Sequence, residues 1–346
     1  MLYLKYRPHT IAELDNSRVR DVVKNILETK NLPHAFLFTG QKGTGKTSTA
    51  RIVAKAINCL NNAFAGKGTS IEPCNSCANC LNIGAGSSPD VLEMDAASNR
   101  GIEEVRSLIR DASFAPMTSS KRVFIIDEAH MITNDAFNAL LKTLEEPPES
   151  VIFILATTNE EKIPKTITSR CLQVRFGEAS RQDVKTKLQK IAVAEKMNIS
   201  EEVIDLITKY SDRSFRDAIK LLEELYLQKK LNVNDVKDYL GVRSKLGLLE
   251  ILEQKDSKKA LAWVEDFIAN GGNIKYLIET VLEELRLLLL VKSGLKTDEE
   301  RSTTLSIVEI TFLMKSFQDA YNYLKFTPIP AIPLEIALVE FYNRYG

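Results

Sequence analysis

Gly40-Gln41-Lys42-Gly43-Thr44-Gly45-Lys46-Thr47 follows the apolar run Ala35-Phe36-Leu37-Phe38 and leads into a helical pattern over residues 47–57. The octet satisfies G-x-x-x-x-G-K-[ST] in full. Its glycines let the loop turn so that backbone N–H groups converge on phosphate oxygens, at the start of a helix whose free N–H groups favour anions. In such a loop Lys46 reaches the β- and γ-phosphates, and the Thr47 hydroxyl ligates Mg²⁺. A strand before the octet and a helix after it are what the motif demands, so a P-loop nucleotide site is expected here.

The other half of such a site is legible at Val123-Phe124-Ile125-Ile126-Asp127-Glu128-Ala129-His130. An apolar strand ending in two carboxylates places Asp127 beside Mg²⁺ and Glu128 next to an attacking water. His130 reads as structural, and His9 and His34 belong to no constellation.

Between and beyond these motifs, short apolar runs alternate with helical stretches. Strands are expected over residues 35–38, 90–94, 123–126, 151–156 and 172–176, with helices over 19–27, 47–57, 102–111 and 136–144. That alternation means a parallel sheet covered by helices on both faces. After residue 176 the strand signal stops. Helices fit residues 183–194, 201–210, 215–228 and 233–239, and Gly241 marks the next boundary. The last hundred residues are again helical, with apolar spacing through 248–252 and 276–291, then a proline-bearing loop over 326–333 and a final helix over 334–342.

The 346 residues carry 46 Lys and Arg against 46 Asp and Glu, so any DNA contact must come from a local patch. No apolar run reaches the roughly 18 residues that span a bilayer, and the opening residues carry no apolar signal segment, so an intracellular, cytoplasmic protein without a membrane partner is expected. Four of the five cysteines fall between Cys59 and Cys80. Cys74-x2-Cys77-x2-Cys80, with Cys59 upstream, suits a closed tetrahedral Cys₄ zinc site. A ferredoxin-type cluster would want its fourth cysteine downstream and followed by Pro. The segment has little apolar content of its own, and metal binding would supply its ordering energy.

With these residues on the page, the sequence resembles the gamma/tau family of bacterial DNA polymerase III clamp-loader subunits, which are AAA+ ATPases. The likeness rests on Tyr6-Arg7-Pro8, the P-loop, the Cys₄ insertion, Met94-Asp95-Ala96-Ala97-Ser98 and the Asp127–His130 box. It extends through Leu141 to Pro148, Ala156-Thr157-Thr158-Asn159, Ser169-Arg170-Cys171 and Arg216-Asp217-Ala218. Departures are Asp15-Asn16-Ser17-Arg18-Val19 in place of a Val-Gly-Gln-like stretch, a longer spacing from Cys59 to Cys74, and Arg213 where glycine is often found.

The resemblance implies an AAA+ P-loop domain over residues 1–177 with a zinc module at about 59–80, a helical lid over 178–241 and an oligomerising collar over 242–346. It implies that Thr158 is a sensor between the Asp-Glu pair and the γ-phosphate. Arg170 becomes an arginine finger acting on a neighbouring subunit's ATP, Arg216 a second sensor reaching back from the lid, and Tyr6, Arg7 and Pro8 the border of the adenine. ATP, Mg²⁺ and Zn²⁺ are the implied cofactors. Delta and delta-prime type subunits, further copies of this chain, a sliding clamp and primer–template DNA are the implied partners, with polymerase activity only a property of the holoenzyme. The length resembles the short gamma form.

For DNA, Ser98, Asn99 and Arg100 precede Gly101 and a helix whose free N–H groups suit a phosphate, with Arg106 a turn later. Two rivals make different demands. A DEAH-type helicase needs a second motor domain, which residues 242–346 do not suggest. A silent scaffold of the delta-prime kind typically has a broken P-loop, whereas Lys46, Thr47, Asp127 and Glu128 are intact.

Overall fold

Five strands, β1 (Ala35–Gly40), β2 (Val91–Asp95), β3 (Arg122–Asp127), β4 (Val151–Thr157) and β5 (Leu172–Gly177), form one sheet in the order β2-β3-β4-β1-β5. Every pairing is parallel. The protein is seen here in a computed structural model that describes residues 1–99, 101–211, 213–241, 244–294 and 303–346.

Side chains alternate across the sheet, as the two-residue period of a strand requires. Phe36, Phe38, Val123, Ile125, Ile152 and Ile154 enter one core, closed by helices Ser17–Glu28 and Lys46–Asn58. Ala35, Leu37, Phe124, Ile126, Phe153 and Leu155 enter the other, closed by helices Ile102–Ala112 and Asn134–Glu145. Burial on both faces explains why these strands read as continuous apolar runs. Phe124 and Phe153 are register partners on neighbouring strands, and their rings stack at 5.4 Å. Helix Ser17–Glu28 starts where Asn16 accepts from the Val19 N–H at 3.1 Å. The Asn16 amide also donates to the Phe176 carbonyl at 2.9 Å, tying that helix to the end of β5.

The chain divides into two compact units, residues 1–197 with 207–224, and residues 198–206 with 225–346. Residues of the expected lid, 178–241, occur in both. The second unit is all-helical among its described residues. Helices Ser244–Gln254, Ser257–Ala269, Ile274–Lys292, Ile307–Tyr323 and Ala331–Tyr345 surround a core that includes Leu248, Val264, Leu277, Leu285, Leu313, Phe317 and Phe341. Helix Ile307–Tyr323 opens on a capping box between Ser306 and Glu309.

The structure revises three details of the sequence reading. Residues Leu2–Lys5 form a short helix ahead of the first one expected, at 19–27. Helix Ser257–Ala269, capped by Asp256, and helix Ile307–Tyr323 resolve the stretch read only as generally helical. The last helix begins at Ala331, with Pro330 as its cap, so Pro333 lies in its first turn. Proline is tolerated there because first-turn N–H groups have no partner within the helix. Among the described residues, no helix is long and apolar enough to cross a membrane.

Candidate nucleotide site and cysteine cluster

The carboxyl ends of β1, β3 and β4 lie side by side, because β4 separates β1 from β3. Gly40, Asp127 and Thr157 end these strands, so the octet, the acidic pair and Thr158 converge on one edge. Ligands of open parallel sheets bind at such an edge.

The loop between β1 and helix Lys46–Asn58 depends on its glycines. Gly43 has φ +80°, and a Cβ there would lie 2.0 Å from the Ser214 hydroxyl. Gly45, at φ +100°, caps the helix in the left-handed region. Lys46 is buried and folds back on the loop, its Nζ donating to the Gly40 and Gln41 carbonyls at 2.8 Å each. Burial lowers its pKa, opposed by the charges of Glu128 and Asp127. The Thr44 hydroxyl donates to the Gln41 carbonyl at 2.8 Å, and Thr47 Oγ1 donates to Asp127 Oδ2 at 2.6 Å.

Glu128 sits just past β3 in the left-handed region, at φ 48° and ψ 41°. Its N–H donates to Asp127 Oδ1 at 2.9 Å, and its Oε2 accepts from the Thr158 hydroxyl at 3.1 Å. His130 Nδ1 lies 3.1 Å from Thr157 Oγ1 and 3.4 Å from Glu128 Oε2. Thr157 Oγ1 donates its proton to the Asn159 carbonyl. With that proton on the carbonyl, a proton on Nδ1 serves Thr157 and faces Glu128. The sequence reading treated His130 as structural; the fold sets it against the Glu128 carboxylate.

Asp127 and Glu128 border a cavity of about 270 Å³ in the first unit, lined also by Tyr3, Tyr6, Arg7, Pro8, Asp15 and Arg216, whereas Thr158 and His130 are not in its lining. All eight residues of the octet except Gly40 and Gln41 line it. Arg216 opens helix Phe215–Leu227 and stands over the Tyr3 ring at 5.0 Å. Arg7 is half-buried, and its pKa is lowered first by burial and then by the Arg51 charge. The Tyr6 hydroxyl donates to Glu195 at 2.6 Å, while its carbonyl accepts from Lys187 Nζ at 2.7 Å. Lys187 also pairs with Asp15 at 2.9 Å. Sequence reasoning missed Tyr3, Asp15 and Lys187, whose neighbours are remote in the chain and which stand in no local pattern.

Arg170 does not line this cavity. It follows the short helix Lys165–Thr168, and its guanidinium donates to the Thr166 carbonyl at 2.6 Å and pairs with Glu145.

Cys59, Cys74, Cys77 and Cys80 place their sulfurs within 4.8 Å of one another. Tetrahedral zinc with bonds of about 2.3 Å requires sulfurs roughly 3.8 Å apart, so four thiols at this spacing fit the ion. Backbone N–H groups of Cys74 and Asn61 point to Cys59 Sγ at 3.4 Å, and that of Cys77 points to Cys74 Sγ at 3.3 Å. The Ser76 hydroxyl is the main cause that brings the Cys74 thiol down to about 5, while burial pushes the Cys80 thiol up. The module is not wholly without a core of its own. Ala63, Ile71 and Ile83 are buried against the sheet's first core, and Asn62 donates to the Ala56 and Ile71 carbonyls.

Of the expected DNA residues, Arg100 lies outside the described residues. Asp95 organises the other two at the turn: the Ser98 hydroxyl donates to its carboxylate at 3.2 Å and the Asn99 amide to its carbonyl at 3.2 Å. Arg106 pairs with Glu103 at 2.8 Å on the exposed helix face.

The family described as DNA polymerase III, delta subunit, matches residues 15–180. The chain is 36% identical to the DNA polymerase III subunit tau of Bacillus subtilis, over 98% of this chain and 62% of that protein. It is 33% identical to the subunit gamma/tau of Mycoplasma genitalium, over 100% of this chain and 59% of that protein. With the subunit gamma of Buchnera aphidicola subsp. Acyrthosiphon pisum the identity is 32%, over 98% of each. The chain thus spans about three fifths of the first two relatives and nearly all of the third. A solved structure of a RuvB variant from Thermotoga maritima covers 94% of this chain and 99% of that one, at a TM-score of 0.50 and 18% identity, and shares the fold.

Proposed function

The chain belongs to the gamma/tau family of DNA polymerase III subunits, and on that premise we propose that it is an ATP-driven motor subunit of a clamp loader. ATP binding assembles a spiral of subunits that opens a ring-shaped sliding clamp at primer–template DNA, and hydrolysis releases clamp and DNA. The observation that carries the reading is the meeting of Lys46, Thr47, Asp127 and Glu128 at one edge of the sheet, beside a cavity large enough for phosphates.

Thr47 and Asp127 are the residues that would hold Mg²⁺, whose charge offsets that developing on the phosphate oxygens. Lys46 exchanges its two loop carbonyls for phosphate oxygens, at little desolvation cost because the ammonium is already buried. Glu128 orients the attacking water and accepts its proton, with the Thr158 hydroxyl and His130 fixing the carboxylate. Arg216 reaches the phosphates from helix Phe215–Leu227, and the stretch Tyr6-Arg7-Pro8 borders the adenine.

Zn²⁺ held by Cys59, Cys74, Cys77 and Cys80 is structural, since four thiolates leave no open position. The division into a nucleotide domain over residues 1–177, a lid over 178–241 and a collar over 242–346 belongs to this proposal. So do a cytoplasmic location, assembly with delta and delta-prime type subunits and further copies of the chain, and DNA contact through residues 98–101 and Arg106.

The test is ATP turnover by the reconstituted assembly with clamp and primed DNA. Lys46→Ala should abolish it, and Glu128→Gln should bind ATP yet turn over about 10²–10⁴-fold more slowly. Wild-type turnover by Lys46→Ala would overturn the site assignment. An inert wild-type chain with intact assembly would instead favour a silent scaffold.

A further inference from the structure

One face of helix Phe215–Leu227 grips the start of the chain. Arg216, Lys220 and Glu223 recur at helical spacing, so they share a face. Glu223 accepts the Leu2 N–H at 3.0 Å. Arg216 and Lys220 both stand over the Tyr3 ring, at 5.0 and 5.8 Å from its centroid. Tyr3 and Arg216 each line the cavity beside the phosphate loop. Among the described residues, Arg216 has no carboxylate partner, so the ring face is what holds its guanidinium.

We propose that Tyr3 is a positioning residue for Arg216: its ring presents the guanidinium to the polyphosphate of a bound nucleotide. This rests on the reading of the cavity as a nucleotide site. A ring quadrupole attracts a cation without neutralising it. A carboxylate in the same place would pair with Arg216 and compete with the phosphates for it. Tyr3 thus restricts a long, rotamer-rich side chain to the cavity mouth while leaving its charge available. Lys220, on the same ring one turn later, adds positive potential at the entrance. The grip of Glu223 on the Leu2 backbone fixes where the ring stands. Since the contact needs only the aromatic face, phenylalanine can replace tyrosine, whereas leucine of similar bulk cannot.

The experiment is displacement of a fluorescent ATP analogue from the full chain, with unlabelled ATP and with inorganic tripolyphosphate as competitors. Tyr3→Leu should weaken both competitors by the same factor, about two- to fivefold for an exposed cation–π contact. Tyr3→Phe should match wild type. In an Arg216→Ala background, Tyr3→Leu should add no further loss. Thermal melting of each variant separates these effects from unfolding. A loss for ATP but not tripolyphosphate would make Tyr3 an adenine contact and overturn the proposal. Equal losses with and without Arg216, or no loss from Tyr3→Leu, would overturn it as well. Direct calorimetric titration with each competitor separates the two readings: wild-type protein that held tripolyphosphate but not ATP would defeat the nucleotide reading, while the tripolyphosphate titrations of the same variants would still decide the coupling of Tyr3 to Arg216.

Discussion

Thr47 Oγ1 donates to Asp127 Oδ2 at 2.6 Å, joining the first turn of the loop helix to the end of β3 across 80 residues of sequence. A hydroxyl and a carboxylate this close share one small region of space, and a hard cation such as Mg²⁺ is the ion that both ligand types suit. Thr47→Val keeps the shape of the side chain and removes its oxygen. We expect nucleotide affinity without Mg²⁺ to change little, and the gain in affinity that Mg²⁺ brings to fall by about ten- to a hundredfold, the worth of one contact to a charged group. Calorimetric titration of ATP with and without Mg²⁺ checks this. A variant whose Mg²⁺ dependence stayed at the wild-type level would remove Thr47 from the metal site.

The cysteine cluster makes a separate prediction. One zinc per chain should be found by elemental analysis, and its removal by a chelator should expose the segment around residues 59–80 to proteolysis. Cys77→Ser should act similarly. Lys46 and Thr47 stand at the far end of the helix that Cys59 caps, and Glu128 follows β3, so ATP affinity should fall much less than local protection does. Buried Ile71 and Ile83 retain part of the packing without metal, so the loss should be local rather than global. Iron with a visible absorption band would replace the zinc assignment.

What was legible in the sequence was contiguous. The octet, the strand that ends at Asp127 with Glu128 just beyond it, and the Cys74–Cys80 spacing each occupy neighbouring positions, so motif and periodicity could be read directly. The central strands β1, β3 and β4 were legible because both their faces are buried, which leaves unbroken apolar runs. Contacts between distant segments were not. Tyr3 under Arg216 and Lys187 on Asp15 join the start of the chain to distant segments that no local pattern relates to it. The contacts of His130 were not legible for a similar reason. Only the return of β4 brings Thr157 beside its ring and Thr158 onto the Glu128 carboxylate that the ring faces. Pro333 misled because proline breaks helices in their interior but not in their first turn.

In the helical unit, Glu309 gives a pH-dependent prediction. The Ser306 hydroxyl is the leading cause that lowers its carboxyl from the ordinary 4.5 to about 2, with help from the Ser306 N–H and Lys255. Because the folded value lies below the unfolded one, the ionised form favours folding. That contribution is complete above about pH 4.5 and is lost as pH falls toward 2. Glu309→Gln keeps an oxygen for the Ser306 N–H but removes the charge, and should therefore lower thermal stability at pH 7, by about 1–2 kcal/mol for charge-assisted contacts made neutral. The difference from wild type should shrink in melts recorded near pH 3. A gap independent of pH would mean that packing rather than charge sets the effect.

Arg170 offers the most discriminating test of assembly. Its guanidinium is absent from the lining of its own chain's nucleotide cavity and is held instead by Glu145 and the Thr166 carbonyl. If it acts in cis, Arg170→Ala should impair every site in any mixture of chains. If it acts on a neighbour, it supplies positive charge to that neighbour's γ-phosphate, an effect worth about 10³–10⁵ in rate in other phosphoryl-transfer systems. Arg170→Ala should then retain ATP affinity in the isolated chain and silence turnover in assemblies. Mixing it with Lys46→Ala chains, themselves inactive, should restore part of the turnover, because an intact loop from one chain then faces an intact arginine from the other. Recovery requires contact between copies, so one assay reads both oligomerisation and chemistry. No recovery at any mixing ratio, with mixed complexes shown to form, would return Arg170 to a local role with Glu145.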